Sequence, residues 1–70
     1  MTTDIRERLK AQPFVPFTIY VADGRALRVP TPDHAHVDPT RPRVAVFSEE
    51  AGLNILPALL ISGVSIDPEV

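Results

Sequence analysis

One stretch of this chain has residue types and a spacing that suggest a metal site. It contains His34, His36 and Asp38. Histidine and aspartate are common zinc ligands, and each must lie about 2 Å from the ion. In an extended strand, residues two apart are separated by about 6.6 Å and residues four apart by about 13 Å. Two histidines could share an ion only with help from other ligands, and the chain has no third histidine and no cysteine. We therefore expect a solvated His-x-His strand, with no metal and no other cofactor.

A second candidate chemistry is the binding of single-stranded nucleic acid, which combines basic groups with aromatic rings on which bases stack. Four arginines and the single tyrosine lie between positions 20 and 43, as Tyr20, Arg25, Arg28, Arg41 and Arg43. However, seven basic and nine acidic residues give a net charge of −2, and nucleic-acid-binding domains usually carry a basic excess. These five residues are the candidate nucleic-acid-binding set if such a function exists.

Catalysis is not indicated by any motif in the chain. There is no cysteine nucleophile and no P-loop or dinucleotide fingerprint. A domain of this size is also a poor container for a ligand pocket of about 300 Å³ or more. We expect a protein that is not an enzyme and that has no small-molecule substrate.

The length and composition favour a single domain over residues 1–70 that gains stability by association. A domain this short buries only about 60% of its unfolded surface, and small scaffolds are usually reinforced by disulfides, metals or oligomerisation. The absence of cysteine excludes disulfides. No apolar run approaches the roughly 18 residues that span a bilayer, and the N-terminus does not resemble a signal peptide. We expect a cytoplasmic homo-oligomer without a membrane segment.

The N-terminal residues 3–12 are predicted to form a helix that Pro13 ends. Ile5 and Leu9 lie four apart and make one narrow apolar stripe. The basic side chains of this segment are interleaved with acidic ones, which favours a solvated face over a nucleic-acid patch.

A β-hairpin is predicted around Asp23 and Gly24, between two segments of alternating apolar residues. A two-residue loop would place apolar side chains opposite polar ones on both faces. A three-residue loop, residues 22–24, instead pairs Ile19 with Leu27 and Phe17 with Val29 on one apolar face. This loop requires a left-handed backbone at its third residue, which suits Gly24.

The remaining chain is predicted to add short strands near 34–38, 43–47, 53–56 and 59–66. The segment Pro30–Asp33 breaks or bends a strand, and Ser62-Gly63 predicts a bulge or a sharp bend. Val44 and Val46 are expected to point inward. Phe47, on the opposite face, indicates either an interface or core packing from the far side, and we expect core packing. The fold class is mainly β (α+β by content): a helix followed by about five antiparallel strands, within residues 14–67, that form a small barrel.

The pattern Pro13-Phe14-x-Pro16-Phe17-x-Ile19-x-x-x-Asp23-Gly24-Arg25, followed by Val29-x-x-Pro32-Asp33, resembles a family of short bacterial proteins of uncharacterised function. The order of helix and strands is also similar to Sm-like proteins, which assemble into rings through edge strands. In that comparison, Asp33 to His36 stands near the first Sm motif, with His36 in place of its asparagine. Ile61 to Val64 stands near the second, with Ser62 in place of its arginine. Those replaced residues are the ones that hold a base and complete an RNA pocket.

Two functions follow as expectations from these observations. The first is a small interaction module that self-associates through its strand edges, which a barrel this short leaves unprotected. The alternative is a weak binder of RNA or single-stranded nucleic acid of the Sm-like type. The partner and the number of copies in an assembly are not specified by the sequence.

Overall fold

The computed structural model describes residues 2–50 and 52–67. One helix is followed by six strands and two 3-10 turns. In chain order they are α1 (Thr2–Lys10), β1 (Phe17–Val21), β2 (Ala26–Val29), a 3-10 turn (Pro32–His34), β3 (Ala35–Val37), β4 (Arg43–Ser48), β5 (Gly52–Pro57), a 3-10 turn (Ala58–Leu60) and β6 (Ile61–Ile66).

The helix begins one residue before and ends two residues before the predicted bounds of 3–12. Its early end has a local cause, because a proline disfavours helical geometry in the residue that precedes it. Pro13 therefore disfavours a helical backbone at Gln12, the last residue of the predicted helix. The helix still presents Ile5 to the core, where it is fully buried, and Leu9 packs partly against the same cluster.

The six strands form two antiparallel sheets of three strands each, in the orders β2-β1-β6 and β3-β4-β5. The predicted order of an N-terminal helix followed by antiparallel strands is confirmed, with six strands rather than about five, and no closed barrel is detected in residues 2–50 and 52–67. Pro30 and Pro32 separate β2 from β3, and proline cannot donate to a strand ladder. As a result, β2 and β3, which would otherwise form one bent strand, lie in different sheets. On the other side, a 3-10 turn joins β5 to β6.

The β1–β2 hairpin has the predicted register. Ile19 pairs with Leu27 and Phe17 with Val29. The loop is closed by Val21 and Arg25, whose N–H and carbonyl oxygen lie 2.8 Å apart. Gly24 has a φ of +98°, in the left-handed region that favours glycine. The three-residue loop is confirmed.

The core lies between the two sheets and under α1. It contains only apolar side chains, and no polar side chain among the described residues is buried. The alternation of β1, β2, β3 and β4 places the predicted residues inside. The buried set is Ile5, Phe17, Ile19, Val21, Leu27, Val29, Ala35, Val37, Val44, Val46, Leu56 and Ile61.

The predicted irregularity at Ser62-Gly63 is a β-bulge. Tyr20 pairs with Gly63 while the next residue of β1, Val21, pairs with Ile61. Ser62 is therefore the extra residue, and its hydroxyl donates a hydrogen bond of 3.2 Å to the Tyr20 carbonyl oxygen. The bulge bends β6 so that Ile61 reaches the core.

Replacing Gly24 by valine tests the hairpin register. A Cβ at this position would meet no atom within 4 Å, so any cost comes from the backbone conformation. We expect Gly24→Val to lower the free energy of unfolding by about 1–2 kcal/mol, measured by urea unfolding. Gly24→Asn is the control and should lose less, because asparagine tolerates positive φ better. An unchanged midpoint for Gly24→Val would contradict the register.

Candidate functional site

The outer face of the β3-β4-β5 sheet carries a group of exposed apolar side chains. In β4 and β5, Phe47 pairs with Leu53 and Ala45 with Ile55. Because Val46 and Leu56 point into the core, their neighbours along each strand must point outward. Phe47, Leu53 and Ile55 are 50%, 66% and 56% exposed. We call these three side chains the outer patch.

The prediction that Phe47 packs on the core is wrong, since half of its side chain is exposed. The two sheets and α1 fill the inner side of β4, and no described element covers its outer side. Leu53 and Ile55 were not recognised as surface residues from the sequence. A register argument like that for β1–β2 could have found them, because pairing Val44 with Leu56 forces Leu53 and Ile55 outward.

The two histidines border the outer patch. The His34 ring lies 6.1 Å from the Phe47 ring, centroid to centroid, at an angle of 38°. Its Nδ1 lies 2.7 Å from the Thr31 hydroxyl. His36 pairs with Ala45 on the outer face. No group of three histidine, cysteine or acidic side chains close enough to hold a metal ion occurs in residues 2–50 and 52–67.

Two shallow depressions cross this face and share His36 and Ala45. One, of about 120 Å³, lies between His34, Phe47 and Leu53. The other, of about 190 Å³, lies between Asp38, Arg43 and Ile55. Both are smaller than the roughly 300–1,000 Å³ of ordinary ligand pockets.

Asp38 organises the loop at one end of the outer face. Its Oδ1 accepts hydrogen bonds from the Thr40 N–H at 2.8 Å and the Arg41 N–H at 3.0 Å. Its Oδ2 accepts one from Arg43 Nε at 2.7 Å. The backbone N–H of Thr40, followed by the Arg43 guanidinium, holds the pKa of Asp38 well below its usual range. The carboxylate thus fixes the position of Arg43 beside Ile55.

The candidate nucleic-acid-binding residues fall into separate groups. Tyr20 is 42% exposed, and its pairing with Ala26 places it on the outer face of the first sheet together with Arg28. Arg28 forms an ion pair of 2.6 Å with Asp67. Arg41 and Arg43 flank Asp38 instead, on the loop before β4 and at the start of β4.

Arg25 links the two sheets. Its Nε lies 2.8 Å from Asp23 Oδ2, and its Nη1 donates to Asn54 Oδ1 at 3.0 Å. The Arg25 backbone N–H, followed by its guanidinium, lowers the pKa of Asp23. Three of the four arginines are therefore paired with carboxylates, whereas Arg41 makes no ion pair within the described part of the chain. Nucleic-acid binding stays a prediction from the sequence.

Comparisons of this chain with family models, with curated proteins and with solved structures found no match. No helix in the described ranges is long and apolar enough to cross a membrane.

A pH series tests whether Asp38 stabilises the fold through its charge. Because its pKa is lowered on folding, its contribution is present above the unfolded value of about 3.9 and is lost as the pH falls toward the folded value. We expect Asp38→Asn to lower the melting temperature at pH 7, with the difference from wild type shrinking between about pH 4 and pH 2. Asp33→Asn, which removes an exposed carboxylate that forms no ion pair with a described residue, should have little effect. A deficit for Asp38→Asn that does not change with pH would contradict this role.

Proposed function

We propose that this protein is a self-associating interaction module and that a second copy of the chain pairs with its β5 edge and partly covers its outer patch. The observation that carries the proposal is the outer patch itself: three large apolar side chains lie side by side, each at least half exposed. Scattered exposed apolar residues are ordinary, but contiguous ones mark interaction surfaces. Covering such a side chain contributes up to about 1.5–3 kcal/mol.

The position of β5 supports a strand-edge contact. Among the described strands β5 pairs only with β4, so its other edge has no ladder partner. Such an edge is a template for pairing with another strand. If β5 of two copies pairs antiparallel about a two-fold axis perpendicular to the sheet, both outer patches lie on the same face of one continuous sheet. Leu53 and Ile55 of each copy then contact those of the other across the seam and partly cover them. The resemblance to Sm-like proteins supports edge association as well.

The charges at the two ends of the β4–β5 hairpin are complementary under this two-fold axis. Arg41, on the loop before β4, and Arg43, at the start of β4, lie next to the end of β5, and Asp38 pairs with Arg43 there. This end therefore keeps one unpaired arginine among the described residues, whereas Glu49 and Glu50 lie at the turn that connects β4 to β5. An antiparallel pairing of β5 brings the acidic end of one copy toward the basic end of the other. A head-to-head parallel pairing would instead bring like charges together. Charge complementarity therefore favours a second copy, in antiparallel orientation, as the occupant.

Sedimentation equilibrium of matched variants tests the proposal. The wild type should associate at micromolar concentration, and Ile55→Lys should weaken association at least about tenfold, because losing about 1.4 kcal/mol of burial changes the dissociation constant by that factor. Leu59→Lys is the control: Leu59 is 95% exposed but lies on the 3-10 turn outside the outer patch. It should leave association unchanged.

Circular dichroism of the same samples should show that both variants remain folded. A wild type that is monomeric throughout the micromolar range would overturn the proposal. Equal loss of association in Leu59→Lys and Ile55→Lys would place the contact elsewhere on the molecule.

A further inference from the structure

Helix α1 distributes its charged side chains unequally between its two flanks. On the flank that faces β6, Asp4, Glu7 and Arg8 line one open groove, so that acidic and basic groups occur together. On the flank that faces β3, Arg6 and Lys10 line another groove with His36. Among the residues that the structure describes, no acidic side chain lines this second groove. We call it the basic groove.

Two basic side chains, Arg6 and Lys10, line the basic groove. Arg6 and Lys10 are four residues apart and therefore neighbours on the helix surface, where like charges destabilise a helix. Arg6 is half-buried, and neither side chain forms an ion pair with any residue in the ranges 2–50 and 52–67. The basic groove lies beside β3, and His36 of that strand lines it opposite the helix. The side chains of Arg6, Lys10 and His36 therefore lie around one groove. The arrangement is favourable when an anion lies between them.

We propose that the basic groove binds the phosphate group of a small phosphomonoester. A phosphomonoester is a dianion at neutral pH, and its two negative charges match those of Arg6 and Lys10. Arginine offers a planar pair of N–H donors to phosphate oxygens, lysine a point charge, and a neutral imidazole still offers one N–H. A carboxylate would leave one positive charge uncompensated.

The walls of the groove give it room for more than the phosphate. Its volume is about 280 Å³, and Leu9 and Pro32 line it beside the charged groups. Leu9 is only partly buried and Pro32 is exposed. These apolar surfaces can contact a carbon skeleton attached to the phosphate. This proposal does not depend on self-association, because the groove lies between α1 and β3 rather than on β5.

Titration with phenyl phosphate, followed by amide chemical shifts at constant ionic strength, tests the proposal. Shifts should be confined to residues 6–10 and 32–37. Benzoate has the same ring with a single negative charge and should bind about tenfold more weakly, as expected for the loss of one charge-assisted hydrogen bond. Inorganic phosphate should shift the same amides.

Variants of a single helix provide the controls. Arg6→Gln and Lys10→Gln should each weaken phenyl phosphate binding about tenfold, and Arg6→Lys should weaken it less. Arg8→Gln removes one charge from the same helix on the opposite flank and should bind as the wild type does. Equal losses in Arg8→Gln, equal affinity for benzoate, or no saturable shifts would overturn the proposal. Binding of an oligothymidylate without binding of phenyl phosphate would also overturn it, in favour of a nucleic-acid site.

Discussion

The structure depends on the burial of one face of each sheet in a single shared core. Residues 2–50 and 52–67 form two three-stranded sheets and one helix, and these elements cover the inner faces of the sheets. Every fully buried large side chain, such as Phe17, Ile19 and Val44, belongs to this shared layer. Since residues alternate along a strand, fixing the inner set also fixes which apolar side chains remain outside.

The features with functional meaning are consequences of that constraint. The outer patch exists because β4 and β5 carry apolar side chains on both faces, while the one helix of the described residues packs beside β3. The same docking of α1 separates its charges, so that Arg6 and Lys10 face β3 and Arg8 faces β6. Among the described residues, no element covers the outer patch beside the β5 edge, and no acidic side chain lines the basic groove. Both surfaces result from the same small core.

Local features of the fold were predictable from the sequence, whereas the division of the strands into two separate three-stranded sheets was not. The register around Gly24 and the bulge at Ser62 follow from alternation and from the special geometry of glycine. The predicted barrel is not detected in the described residues, and Pro30 and Pro32 interrupt the strand that would have joined the two sheets. The environment of Phe47 was predicted wrongly for a related reason. A strand that is apolar on both faces does not show which of its faces another element will cover. The pairing of Arg28 with Asp67 and of Arg43 with Asp38 depends on tertiary contacts that spacing alone does not specify.

The central claim, that a second copy pairs with the β5 edge and partly covers the outer patch, is tested most directly by hydrogen exchange at several protein concentrations. The β2 strand supplies an internal reference, because it too is an edge strand but lies in the other sheet. Exchange of the β5 amides should slow as the concentration rises through the association range, while exchange of the β2 amides stays constant. Exchange in β5 that is independent of concentration, or that changes in parallel with β2, would contradict the account.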